Sequence, residues 1–209
     1  MEAINSFEIL ISLIKACQDK PEEPNVRGPN GYDSTLGGAH YLLGQCIRNL
    51  WTREGHRCVS KKAHDLWERL EVGKPIFDYW YQKPVYYRNT EPVHVKGYVG
   101  AKSTPDWEED LRFTKKGDYF RFRQVFHIEH IVPIGIILKE LLELDISKDR
   151  DEVYGELNSI LGKIYVCYMT KEEDRCLNKV AKSNRSDDYL EVINTDYRKA
   201  GIEISEWDE

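Results

Sequence analysis

The chain has 209 residues, of which 41% are hydrophobic and 32% charged, and its formal net charge is −6. This composition is too apolar for a disordered chain and allows one sizeable domain or two small ones. No run of about 18 apolar residues occurs and the N-terminus has no basic leader, so we expect neither a transmembrane helix nor a signal peptide and place the protein in the cytoplasm.

The N-terminal third is predicted to be helical. Helical periodicity covers residues 5–19, and after a loop rich in Gly, Pro and Asn a second helix is predicted at about 39–54. A third helix is expected to begin after Ser60, because serine is a favoured N-cap residue.

The middle of the chain, about 74–101, is dense in aromatic and β-branched residues and is interrupted by Pro and Gly. It is therefore predicted to form strands and loops. Its run "IFDYWYQKPVYY" is either core and hairpin packing or a platform on which nucleic-acid bases stack. We predict that residues 1–110 form a helical and aromatic-rich region that recognises the target.

The C-terminal half alternates strands with helices. A strand is predicted from residue 117, in which two phenylalanines alternate with two arginines. The elements predicted after it are two helices at about 134–145 and 149–160 and a strand at 163–169. Thr170 and Glu173 have the spacing of a capping box, which begins another helix, and a last helix is expected to end at Gly201. The fold class is thus predicted to be α+β.

The stretch "FHIEHIVPI", residues 126–134, places two histidines and a glutamate in an apolar segment, where ionisable groups need a partner or a metal. In a regular strand His127 and Glu129 share one face and His130 points away. Glu129 and His130 serve one site only if the strand ends or bulges there. A carboxylate beside a histidine suits metal-assisted hydrolysis, because the carboxylate binds a hard cation and the imidazole takes a proton from water.

The helix after Thr170 carries Asp174 and Asn178, which are four residues apart and so lie on one face. Both are oxygen donors of the kind that Mg²⁺ accepts. The same helix has a basic stripe made of Arg175, Lys179 and Lys182. Leu177 and Val180 mark the face that is expected to pack against the core. Upstream, residues 111–130 carry five Lys or Arg against two acids, a balance of +3 that suits a phosphate-binding site.

Taken together, "HIEHIVPI", the strand after it and "TKEEDRCLNK" resemble the HNH endonucleases and their ββα-metal motif, over residues 117–201. The resemblance implies that His130 is the general base and Glu129 a metal ligand, with Asp174 or Asn178 as the ligand from the helix. It also implies a single Mg²⁺ or Mn²⁺ that bridges the scissile phosphate and the leaving oxygen while the histidine activates water.

Two features depart from the family's pattern. Gly162-Lys163 stands where the middle asparagine of the motif is expected, so that Asn158 or no residue fills that role. The segment between the two halves, residues 134–161, is also long for a minimal motif. We assign His127 to hydrogen bonding or packing.

The resulting hypothesis is a metal-dependent DNA endonuclease of restriction or phage-defence type, with its HNH-like nuclease domain at 111–209. Double-stranded DNA is the expected partner, no membrane partner is expected, and a homodimer is left open. Contacts to DNA are expected from Lys115, Lys116, Arg121, Arg123, Arg175, Lys179 and Lys182.

The residues leave two other classes open. One is a zinc protein that uses His127, His130 and two cysteines such as Cys167 and Cys176, which the lack of closely spaced cysteines disfavours. The other is a non-catalytic nucleic-acid-binding protein whose HNH-like part has lost its activity. Metal-dependent cleavage of a plasmid would distinguish the three.

Overall fold

The computed structural model describes residues 6–19, 39–48, 56–80, 83–86, 93–98, 108–113, 119–181 and 185–208. The chain is a mixed α+β protein with two compact units that alternate along the sequence. The first unit comprises Met1–Gly55 and Val132–Ile164, and the second comprises His56–Ile131 and Tyr165–Glu209. None of these boundaries coincides with the predicted one at residue 110, and the separation of target recognition from cleavage stays a prediction.

The helices are α1 (Ser6–Gln18), α2 (Ala39–Cys46), α3 (Lys61–Leu70), α4 (Phe122–Val125), α5 (Ile134–Glu143), α6 (Arg150–Leu161), α7 (Lys171–Val180) and α8 (Tyr189–Val192). The strands are β1 (His56–Ser60), β2 (Pro84–Tyr86), β3 (Val93–Tyr98), β4 (Glu108–Phe113), β5 (Tyr119–Arg121), β6 (Phe126–His130), β7 (Tyr165–Thr170) and β8 (Ile204–Asp208). Within this described part of the chain, every helix is too short or too polar to span a membrane.

The first unit is built from α1, α2, α5 and α6. Each helix buries one apolar face. The buried residues include Leu10 and Ile14 of α1, Leu43 of α2, Ile137 and Leu141 of α5, and Val153 and Leu157 of α6. The Gln18 amide donates hydrogen bonds to the carbonyl groups of Leu142 and Leu144, at 3.0 and 2.8 Å. The predicted helices at 5–19, 134–145 and 149–160 are confirmed, and the predicted helix at 39–54 is confirmed as far as Cys46, with residues 49–54 outside the described part of the chain.

The second unit contains a four-stranded sheet in the order β6-β7-β1-β8. Strand β7 is antiparallel to β6 and parallel to β1, and each of the parallel strands runs directly into a helix. Ser60 and Thr170 cap α3 and α7 with their hydroxyl groups, as predicted. Both hydroxyls also donate to the buried carboxylate of Glu173, at 2.8 and 2.9 Å, which joins the two strand ends.

Both faces of this sheet are covered. One face packs against an aromatic core that includes Trp67, Phe122, Phe126 and Tyr168. The other packs against a smaller core with Leu177 of α7 and Tyr197, which lies in a π-helical turn after α8. Since side chains alternate along a strand, β6 contributes to both faces.

Two strands of this sheet differ from the prediction. Strand β1 lies in the third of the chain that was predicted to be helical, and β8 was not predicted at all. Each has five residues and is stabilised by pairing with segments far away in the sequence, such as Cys58 with Cys167 and with Trp207. Local periodicity carries no signal of such pairing.

The predicted strand from residue 117 is also interrupted. Strand β5 ends at Arg121, and α4 forms a single helical turn before β6 begins. The turn places Phe122 and Val125, three residues apart, together in the core. Val180, which was predicted to pack, is 43% exposed because α7 ends there.

Candidate metal centre

Strand β6 supplies the first two side chains of the site. Its pairing with β7 is regular throughout, with His127 opposite Met169, Glu129 opposite Cys167 and His130 opposite Val166. The strand therefore neither ends nor bulges between Glu129 and His130. By alternation, His127 and Glu129 point to the face covered by α7, and His130 points to the other face.

The helix α7 supplies the third side chain. Thr170 caps it at the end of β7, and Asp174 lies in its first turn, packed towards β6. The Nε2 atom of His127 lies 3.1 Å from Oε2 of Glu129 and 3.7 Å from Oδ1 of Asp174. All three side chains are mostly shielded from solvent, with exposures of 23%, 15% and 16%.

These three residues have the geometry of a metal site. One potential ligand atom from each lies within 4.8 Å of the others, and no other set of three His, Cys, Asp or Glu in the described ranges meets this condition. Two carboxylates and one imidazole fit a divalent cation such as Mn²⁺ or Mg²⁺, with the nitrogen favouring Mn²⁺ over Mg²⁺. Binding through Nε2 of His127 would require that nitrogen to be unprotonated.

Arg185 is the group that orients Glu129. Its side chain is only 6% exposed, and the guanidinium donates to Oε1 of Glu129 and to the His130 carbonyl at 3.2 Å. Oε2 of the same carboxylate faces His127 instead. Burial acts to raise the pKa of Glu129, but the hydrogen bond with His127 and the charge of Arg185 outweigh it and lower the pKa. Glu129 is therefore ionised at neutral pH.

A lysine lies on the other side of His127. The Lys171 ammonium lies 3.3 Å from Nδ1 of His127. Burial lowers the pKa of Lys171; the charges of Arg175 and Arg123 act in the same direction, and Asp174 and Glu129 oppose them. Lys171 thus lies beside the cluster and interacts electrostatically with Arg175, Arg123 and both carboxylates, an arrangement that can hold both a metal ion and a phosphate group.

The other predicted site residues lie outside this cluster. The Asn178 side chain is exposed and its amide donates to Oδ1 of Asp174 at 2.9 Å, so it orients the carboxylate. Arg121, Arg123 and Lys179 are exposed and Arg175 is half-buried, while Lys115, Lys116 and Lys182 lie outside the described residues. Asn158, the alternative for the middle asparagine, is exposed on α6 of the first unit.

The described cluster contains no cysteine. Cys167 is the strand neighbour of Glu129, but it is fully buried and its burial raises the pKa of the thiol, which opposes formation of the thiolate that zinc requires. Cys176 is half-buried on α7. The donor set therefore differs from that of the predicted zinc alternative.

The sequence prediction missed Lys171, Arg185 and the place of His127 in the cluster. Lys171 had a local signal, because it is three residues before Asp174 on the same helix. Arg185 had none, since its partner Glu129 lies 56 residues away and a single arginine between Asn184 and Ser186 looks like an ordinary loop residue.

No protein-family model, curated protein or solved structure matches the chain.

Proposed function

We propose that this protein is a metal-dependent endonuclease that hydrolyses phosphodiester bonds in DNA at an HNH-like ββα centre. The observation that carries the proposal is the convergence of His127, Glu129 and Asp174, from β6 and α7, beside a group of cations. The chain order β6, β7, α7 agrees with the order that the resemblance implies, with α5 and α6 between the two strands.

The metal ligands in this proposal are Glu129, Asp174 and His127. Glu129 is presented through Oε2 because Arg185 occupies Oε1, and Asp174 is held by the Asn178 amide. A divalent cation bound here would neutralise negative charge that develops on the phosphate during cleavage. Asn178 thus acts by holding a ligand in position instead of acting as one.

Lys171, Arg175 and Arg123 are the proposed phosphate-binding groups. The Lys171 ammonium lies 3.3 Å from Nδ1 of His127, on the other side of the ring from Glu129, and the charges of Arg175 and Arg123 act on it. Phosphate contacts of this kind position a nucleic acid without reading its sequence. They also explain how a chain with a net charge of −6 could hold DNA.

The role of His130 as general base is supported by the sequence pattern alone. It follows Glu129 directly and ends β6, but strand alternation directs its side chain to the opposite face. Comparison of His130 and His127 variants therefore tests the assignment. A cytoplasmic location and a restriction or phage-defence role also stay part of the proposal.

The proposal is tested by incubating the purified protein with supercoiled plasmid in Mn²⁺, in Mg²⁺ or in EDTA. We expect nicked or linear DNA with either metal, none in EDTA, and none from a folded Glu129→Gln variant. DNA binding without cleavage under every metal condition would contradict the proposal and favour a non-catalytic nucleic-acid-binding protein.

A further inference from the structure

A short antiparallel ribbon of the second unit, β2–β5, presents aromatic rings to solvent. Its register pairs Pro84 with Arg121, Val85 with Phe120 and Tyr86 with Tyr119. Val85 and Phe120 are buried and belong to the aromatic core. The two tyrosines and Arg121 lie on the opposite, exposed face of the ribbon.

Both tyrosines are unusually exposed for aromatic residues. Tyr86 is 55% exposed and Tyr119 is 61% exposed, and their ring centroids are 5.5 Å apart at an angle of 43°. The inner face already supplies the packing of the ribbon, so these rings are not needed to fill the core. Adjacent exposed aromatic rings are a feature of surfaces that bind partners.

Basic side chains border the two rings. Arg121 shares their face, and Arg123, two residues later, is also exposed. Neither strand of the ribbon contains an acidic residue. The surface is thus aromatic and positive in a chain whose net charge is negative.

We propose that the β2–β5 ribbon binds unpaired bases of a DNA strand, with Tyr86 and Tyr119 stacking on bases and Arg121 and Arg123 contacting phosphates. Every base has a π face, and stacking on aromatic side chains tolerates any sequence. In a duplex both faces of a base are already covered, so these rings suit unpaired bases. The adjacent cations favour a polyanion over a second copy of this acidic chain.

The ribbon is connected to the candidate metal centre. Only α4 separates β5 from β6, which carries Glu129. The inference rests on the proposed function, because it names a part of the chain that would hold the DNA substrate.

The test measures binding of a short fluorescein-labelled single-stranded oligonucleotide by fluorescence anisotropy in EDTA, where cleavage is prevented. We expect a Tyr86→Leu/Tyr119→Leu double variant to bind roughly tenfold or more weakly, because each stacked base contributes substantially to affinity. The matching Tyr86→Phe/Tyr119→Phe variant keeps the rings and should bind within about twofold of the unchanged protein. Unlabelled duplex should compete at least about tenfold less well than the single strand.

Trp207→Leu is the matched control. Trp207 is 38% exposed and packs against Tyr165 and Tyr189 at centroid distances of 6.1 Å, but it stands between the acids Glu206 and Asp208. Removing this ring should leave DNA binding unchanged. Thermal unfolding of each variant verifies that the fold is retained.

The inference is overturned if the unchanged protein does not bind the single strand, if the leucine pair binds normally, or if duplex competes equally well. It is also overturned if light scattering shows that the leucine pair dissociates a dimer while DNA binding persists. Because binding is measured without metal, failure of the proposed nuclease activity is a separate result. If binding depends on the two rings but no DNA is cleaved, the ribbon proposal is supported and the nuclease proposal is rejected. If DNA is cleaved but binding does not depend on the rings, the nuclease proposal is supported and the ribbon proposal is rejected.

Discussion

The segments β1–α3 and β7–α7 of the second unit are built alike but differ in what surrounds them. The two strands are parallel neighbours, and each helix begins with a lysine after a hydroxyl N-cap. Lys61 of α3 forms an exposed ion pair with Glu203 at 3.4 Å. Lys171 of α7 contacts His127 instead and belongs to the candidate metal centre.

The same contrast holds for the acids of the two helices. Asp65 of α3 has a side chain that is 64% exposed, whereas Asp174 of α7 is 16% exposed and faces His127. The neighbouring strand causes the difference, because β7 lies beside β6 with its histidine and glutamate, and β1 lies beside β8. A strand, a cap and a helix with an aspartate near its start thus become a candidate site only through the strand next to them.

The strongest test of this comparison replaces one aspartate on each helix with asparagine. We expect Asp174→Asn to reduce metal-dependent DNA cleavage about 100-fold or more, because it removes the charge of a proposed ligand. The matched Asp65→Asn variant should cleave at the unchanged rate. Rates on a plasmid in Mn²⁺ measure both. Equal cleavage rates for the two variants would show that Asp174 is not a metal ligand.

Variants of the two histidines of β6 distinguish a role in cleavage from a role in metal binding. We expect His130→Ala to lower the cleavage rate about 100-fold while Mn²⁺ affinity stays unchanged, as for loss of a general base. His127→Ala should instead weaken Mn²⁺ binding by roughly tenfold or more, because a ligand is removed. Calorimetric titration and cleavage rates distinguish the two. If His130→Ala cleaves normally, the base is not His130, and His127 takes its place as the next histidine to test.

Removing Arg185 should destabilise the fold. Arg185→Ala leaves the buried carboxylate of Glu129 without its cation, and the loss of one partner of a buried ion pair costs about 3–5 kcal/mol. Urea unfolding without metal measures this loss, and Arg123→Ala, which removes an exposed arginine, is the control. In the Arg185→Ala/Glu129→Gln double variant the loss should be smaller. A double variant as unstable as Arg185→Ala would show that the ion pair is not the cause.

The smallest expected effect concerns the two caps. Ser60→Ala and Thr170→Ala should each reduce the free energy of unfolding by about 1–2 kcal/mol, since each removes a helix cap and one donor to buried Glu173. The two losses should not be additive, because both hydroxyls share that carboxylate. Denaturant unfolding of both single variants and the double variant measures the coupling. Fully additive losses would argue that the caps act independently.

Much of the helical structure could be predicted from the sequence. Ser60 and Thr170 identified the starts of α3 and α7, since a cap acts on backbone groups only two or three residues away. Helical periodicity identified α1 for the same reason, because a helix face is defined by residues within one or two turns. The segments of α5 and α6 were also predicted to be helical. The pattern around Glu129 likewise indicated a strand that carries candidate site residues.

The tertiary structure decided which of these side chains meet. Unbroken pairing of β6 with β7 turned His127, and not His130, towards Asp174, although the sequence allowed a bulge. Arg185 reached Glu129 across 56 residues, and β1 joined the sheet through pairing with β7. Such contacts depend on the register and packing of segments far apart in the chain, and a window of neighbouring residues carries no information about them.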